Sequence, residues 1–318
     1  MTLPPEAFFL PATAVAGGPP RSGQRLCLYH PAQSAAVRGL VLYIHPFAEE
    51  MNKARRMAAL QSRALAQAGF SVLQIDLHGC GDSSGDFGDA SWQGWVDDVL
   101  QGCQWLRARA GCKATSGAIT TVIPGVKTSA MPGKTFNDGV PDVPLWLWGL
   151  RAGCLLAVAA AGQMRQPCHF LFWQPPTSGK LLLQQFLRLK VAGELMGGQA
   201  KGVMQAMRQQ LAEGESVEIA GYMLGPDLAN GLEQALLAPP HKVTTLPAQR
   251  VAWFELSTRE DASLSPVSAQ AISQWQSAGF QVSSACVPGP SFWQTTEIED
   301  APALIEATLK ALLDSLTP

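Results

Sequence analysis

The chain has 318 residues, of which 47% are hydrophobic and only 15% charged. An average soluble domain carries roughly 25% charged residues, so this balance predicts a large buried core under a sparsely charged surface. A formal net charge of −2 leaves no basic footprint for a nucleic-acid backbone or an anionic membrane, and neither is expected as a partner.

The first residues, MTLPPEAFFLPATAVAGGPP, lack the basic start and continuous apolar stretch of a secretory signal. Short β-rich runs then alternate with helix-length segments, the pattern of a mostly parallel sheet covered on both faces. Strands are predicted over 25–30 (RLCLYH) and 39–45 (GLVLYIH), followed by a helix over 55–70 that stops at Gly69. Glycine suits that stop because it adopts the left-handed conformation that ends helices.

A strand at 71–76 and an amphipathic helix at 92–110 come next. Residues 111–142 are rich in Gly, Thr, Ser, Lys and Pro without periodicity, and predict a long surface loop. PLWLWG (144–149) predicts the central strand, AGCLLAVAAAGQM the helix after it, and HFLFWQP (169–175) another strand. The longest apolar run, 143–162, is broken by Gly149, Arg151 and Gly153 in a strand-turn-helix rhythm rather than continuing as a membrane span. A cytoplasmic protein without membrane insertion is expected.

Residues 177–247 change to Gln-, Leu-, Met- and Ala-rich helical runs separated by Gly and Pro, and are expected to form a helical cap. The expected core is therefore 1–176 plus 248–318, with strands at 250–256 and 280–287 and helices near 266–278 and 300–315.

The seven cysteines, Cys27, Cys80, Cys103, Cys112, Cys154, Cys168 and Cys286, are odd in number and contain no C-x-x-C pair. A disulfide framework and a zinc site are both disfavoured, and most of these residues are expected to be small core fillers. No metal or cofactor is called for.

Gly149-Leu150-Arg151-Ala152-Gly153 has the frame of the nucleophile elbow G-x-S-x-G, in which a sharp strand-to-helix turn lifts a serine into the active site of an α/β-hydrolase. Here the lifted residue is Arg151. A guanidinium stays protonated at any relevant pH, so it is neither nucleophile nor general base. It offers fixed positive charge and a fork of donors at a helix N-terminus, where anions are already favoured.

Two further loops end predicted strands. HPFAEEMNKARRM supplies His45, Phe47, Glu49 and Glu50 at the place where α/β-hydrolases build their oxyanion hole. Its acids suit a helix start in any case, and either could face Arg151. DLHGCGDSSGDFGD supplies His78 and Asp82, in a stretch whose glycines and aspartates primarily shape turns.

The triad acid would stand at Glu260 or Asp261. The triad histidine should follow the last strand, yet Ser291, Phe292 and Trp293 occupy that window and all five histidines lie upstream. The order Ser, acid, His cannot be assembled.

Three roles for Arg151 remain at this point. It pairs internally with Glu49, Glu50, Glu260 or Asp261, since an uncompensated buried charge is costly; it binds an anion or polar ligand; or it serves an unconventional reaction. Candidate catalytic groups for the last are His45, His78, Glu49, Asp82 and Asp261. Candidate ligand-binding residues are Arg151, His45, Phe47, Glu49, Glu50, Leu150 and Glu260.

HPFAEEMNKARRM, DLHGCGDSSGDF, WGLRAGCLLA and PGPSFWQTTEIED together resemble the exosortase A system-associated hydrolase 2 family of the α/β-hydrolase superfamily, over residues 25–313 apart from 111–142. The resemblance implies an α/β-hydrolase fold and arginine at the elbow as a shared trait. It also implies a bacterial setting beside exosortase, PEP-CTERM sorting and exopolysaccharide genes, with proteins of those systems as partners. A small polar, anionic or acylated ligand at Arg151 is expected, without ordinary serine-esterase activity. An unconventional hydrolase acting on an ester, thioester or acyl-glycan, or a non-catalytic partner protein, are the other readings.

Overall fold

A computed structural model describes residues 3–12, 22–114, 143–196, 202–240, 248–259 and 261–315. In chain order the core elements are β1 (Glu6–Pro11), β2 (Gln24–His30), β3 (Gly39–Ile44), α1 (Glu49–Gln67), β4 (Phe70–Ile75), α2 (Trp92–Ala114), β5 (Leu145–Leu150), α3 (Ala152–Gln163) and β6 (His169–Trp173). The segment expected as a cap follows, with α4 (Gly179–Met196), α5 (Val203–Ala212), β7 (Val217–Ile219), β8 (Tyr222–Leu224) and α6 (Pro226–Gln234). β9 (Arg250–Ser257), α7 (Pro266–Ser277), β10 (Gln281–Pro288) and α8 (Pro302–Asp314) complete the chain.

Eight strands form one sheet in the order β1-β2-β4-β3-β5-β6-β9-β10. β1, β2 and β4 pair antiparallel, and every pair from β4 onward is parallel. β3 and β5 are buried at every position because helices cover both faces. Side chains alternate across the sheet: Val41, Tyr43, Trp146 and Trp148 pack under α1 and α8, while Leu40, Leu42, Leu145 and Leu147 face α2 and α3.

From β3 the chain builds outward in both directions, so the loops after β3 and β5 part at a switch point, where α/β sheets place ligands. The register Ile44↔Gly149 sets those two loops side by side.

Several elements depart from the sequence reading. Strand β1 was not anticipated. Helix α1 begins at Glu49 rather than near 55, because both acids sit in its first turn, where the amide dipoles favour negative charge. Residues 111–114, expected in the loop, continue α2; the rest of that loop, 115–142, lies outside the described residues. The segment expected as a helical cap also contains two strands. β7 and β8 form a hairpin whose two-residue turn, Ala220-Gly221, has positive φ at both positions (49° and 84°), the mirror-image turn that matches strand twist.

The buried residues Leu182, Leu183, Phe186, Leu228 and Leu232 of this segment belong to the same apolar core as Trp95 and Leu106 of α2. Among the described residues no helix is long and apolar enough to cross a membrane. The six cysteines with described side chains are free, and only Cys286 is not buried.

Candidate functional site

The elbow is closed by glycine. Arg151 takes φ 54° and ψ −117°, so the chain reverses from β5 straight into α3. A Cβ on Gly149 would meet the backbone of Gly153 and Cys154, and a Cβ on Gly153 would collide with the carbonyl oxygen of Ile44. The Arg151 N–H donates to Trp173 O at 3.0 Å and its carbonyl accepts from Cys154 N at 3.0 Å. Holding a non-glycine residue in this region costs on the order of 1–3 kcal/mol, which the surrounding bonds must offset.

Three other elements meet the guanidinium. From the first turn of α1, Glu50 Oε1 accepts from Arg151 Nε and Nη2, each at 3.3 Å. From α4, Gln185 Oε1 accepts from Nη2 at 3.0 Å. From the loop after β10, Gln294 Nε2 donates to the same Glu50 oxygen at 3.4 Å, and the Trp293 ring lies 6.0 Å from the guanidinium carbon. The Arg151 and Glu50 side chains are 12% and 20% exposed.

This network is incompletely satisfied. Among the described residues, Glu50 Oε2 is buried without a hydrogen-bond partner and Nη1 of Arg151 has none. Burial pushes the Glu50 carboxyl above its ordinary pKa, while the charge and hydrogen bonds of Arg151 and the amide of Gln294 pull it back.

The other predicted site residues divide. Glu49 turns away from the elbow: its Oε2 accepts from Tyr222 Oη at 3.0 Å and from Asn52 Nδ2 at 3.1 Å, which ties α1 to the β7–β8 hairpin. Phe47 and Leu150 are buried, Phe47 among the rings of Phe87, Trp95 and Phe186. Asp261 is exposed and makes none of the Arg151 hydrogen bonds; Glu260 lies outside the described residues.

His45 is buried with both ring nitrogens engaged. Nδ1 is 2.8 Å from Pro46 O, and Nε2 accepts from Leu77 N–H at 3.2 Å. Burial lowers its pKa, so the neutral ring is the form that fits, and neither nitrogen is left to accept a substrate proton.

His78 packs its ring over Gly85, its N–H donates to Asp98 Oδ2 at 2.8 Å, and its carbonyl accepts from Trp95 Nε1 at 2.9 Å. Asp82 is exposed, with its N–H on Asp76 Oδ2 at 3.2 Å, and Asp76 pairs with Arg55 at 3.0 Å. These bonds tie the loop after β4 to α1 and α2. Among the described residues, no histidine is a hydrogen-bond partner of Arg151 or Glu50, and no cluster of three or more His, Cys, Asp or Glu could hold a metal.

Trp293 stands in the loop that would carry the triad histidine. It is buried, and its loop is fastened to α1 by the bidentate pair Arg56–Asp300, at 2.7 and 2.8 Å. An indole N–H only donates, so Trp293 cannot serve as the base that a triad histidine would be. Gln185 and Gln294 had no signal in the sequence, since uncharged amides on an amphipathic helix or in a loop follow no pattern.

No protein-family model matches the sequence, and neither does any curated protein. Solved structures do match. Est1E from Butyrivibrio proteoclasticus with ferulic acid bound aligns over 93% of this chain and 97% of its own, at 13% identity and a TM-score of 0.59. A soluble variant of monoglyceride lipase from Saccharomyces cerevisiae, in complex with a substrate analogue, aligns over 100% and 97% at 16% identity and a TM-score of 0.59. A carboxyl esterase from Bacillus coagulans aligns over 99% and 100% at 11% identity and a TM-score of 0.56. With the strand order and the elbow, these define the class: this is an α/β-hydrolase fold.

Proposed function

We propose that this chain is an exosortase- and exopolysaccharide-associated protein of the α/β-hydrolase superfamily that holds a small polar, anionic or acylated ligand at Arg151 and does not turn over ordinary esters. The carrying observation is the guanidinium at the elbow, held at the head of α3 with one nitrogen, Nη1, unspent among the described residues. Cation and helix N-terminus attract the same charge.

The acylated end of this ligand range has its own support. Leu181 and Leu189 are exposed and lie four residues either side of Gln185 on α4, so the three form one row on the helix. That row borders the elbow at the point where Gln185 touches Arg151.

The test has two arms. Wild-type protein and Arg151→Ser are assayed on p-nitrophenyl acetate and octanoate; both should match buffer, because no histidine meets Arg151 among the described residues to complete a triad. Thermal unfolding is then followed with octanoate. A concentration about a hundredfold above Kd stabilises by about 2.7 kcal/mol, and Arg151→Ala should abolish the shift while still folding. Brisk turnover by wild type, or a shift retained in Arg151→Ala, would sink the reading.

A further inference from the structure

Glu50 holds Arg151 poorly. Charge-assisted N–H···O bonds usually measure about 2.7–2.9 Å, and this molecule achieves that elsewhere, at 2.8 Å for Arg25–Asp98 and 2.7 and 2.8 Å for Arg56–Asp300. At the elbow three donors crowd one oxygen, Oε1, at 3.3, 3.3 and 3.4 Å. The other oxygen, Oε2, is buried and receives no donor among the described residues. A carboxylate with one overcrowded and one unpaired oxygen is not the best partner this guanidinium can have.

The groups acting on Glu50 are few. Arg151 faces it from the elbow and Gln294 from the loop after β10. Glu49, beside it on α1, is committed to Tyr222 and Asn52, and Gln185 from α4 bonds Arg151 instead. Arg151 is the single cation in hydrogen-bond contact with Glu50 among the described residues. An anion that occupies this guanidinium withdraws the charge that keeps Glu50 ionised and adds a second negative charge beside it.

We propose that Glu50 is a built-in occupant of the Arg151 site, and that a monocarboxylate with an apolar tail enters by exchange: its carboxylate takes the guanidinium while Glu50 takes one proton from solvent. The balance closes without a further reagent. One ion pair, Arg151⁺ with Glu50⁻, becomes Arg151⁺ with the ligand carboxylate, and the buried carboxyl stays behind neutral. Its acid proton then gives Glu50 a donor, which the carboxylate lacked. The Leu181–Leu189 row lies along the site for the tail.

This rests on the proposed anchoring role of Arg151, and the experiment separates the two. Octanoate is titrated calorimetrically into the full chain in two cationic buffers of different ionisation enthalpy, over the range from about pH 6 to 8. Exchange gives uptake of about one proton per octanoate, and affinity that rises up to about tenfold for each pH unit lowered. Glu50→Gln, which cannot take up a proton, should bind octanoate more tightly than wild type, with no proton uptake and a flat pH response.

Binding by wild type without proton uptake, or a Glu50→Gln variant with the same pH dependence as wild type, overturns the exchange and leaves Arg151 as an anion anchor. No binding to either protein at any pH overturns both. The proton count on wild type stands even if the variant fails to fold.

Discussion

Gly153 shows how little freedom the elbow has. The atom its missing Cβ would strike is a backbone carbonyl, Ile44 O, with His45 O 3.0 Å away, and backbone in the middle of a parallel sheet cannot yield as a flexible side chain can. Gly153→Ala should therefore cost about 3 kcal/mol or more, seen as a lower urea midpoint or loss of soluble protein. A neutral substitution would mean that α3 does not close on β3 as described. The frame G-x-R-x-G was readable in the sequence because such steric demands leave a glycine signature. Which acid meets Arg151 was not: Glu49 and Glu50 are neighbours of identical chemistry, and the roughly 100° helical turn between them sends one to the elbow and the other to Tyr222.

At the level of elements, the antiparallel side of the sheet is fixed by a charge pair that no pattern announced. Arg25 of β2 and Asp98 of α2 are 1% and 0% exposed and joined at 2.8 Å, and the second Asp98 oxygen accepts the His78 N–H. Strand, helix and the loop after β4 are thereby held together. Removing one partner strands a buried charge, so Arg25→Met or Asp98→Leu alone should cost about 3–5 kcal/mol in denaturant midpoint, while the double substitution should recover much of it. Equal losses in the double and single variants would show that packing, not charge, binds these elements.

The elements themselves were largely legible, since buried strands and amphipathic helices carry their periods in the residues. What periodicity could not reveal was an exposed edge strand such as β1, whose alternation is shallow and partly wet, or the three-residue strands of the hairpin. Nor could it show a contact like Arg25–Asp98 across 73 residues, because pairing is a property of the assembled sheet.

The whole molecule should be acid-sensitive. Burial lowers the pKa of His45, His169 and His30, with Arg250 and Arg63 adding to the effect at the latter two; His169 falls from 6.5 to about 4. The folded state thus binds fewer protons than the unfolded chain. Stability from these groups is complete above the ordinary histidine pKa and is lost as pH falls through it toward their lowered values. Glu50 has the opposite sign, its contribution being greatest below the ordinary carboxyl range and lost as pH rises through its raised pKa. With three groups against one, chemical stability should drop between about pH 7 and 5, and His169→Gln should flatten the slope by roughly 2 kcal/mol over that span. A slope unchanged in His169→Gln would place the proton linkage elsewhere.

The shared apolar core has a consequence for traffic to the elbow. Leu182, Leu183, Phe186, Leu228 and Leu232 are set in one apolar mass with α2, so moving their segment as a body would expose that mass to water. At the ion pair stand two amide side chains, Gln185 on Arg151 and Gln294 on Glu50. Such side chains turn over in picoseconds to nanoseconds, whereas whole lids need microseconds or longer. A ligand arriving at Arg151, as proposed, would meet two side chains that reorient on the faster of these time scales.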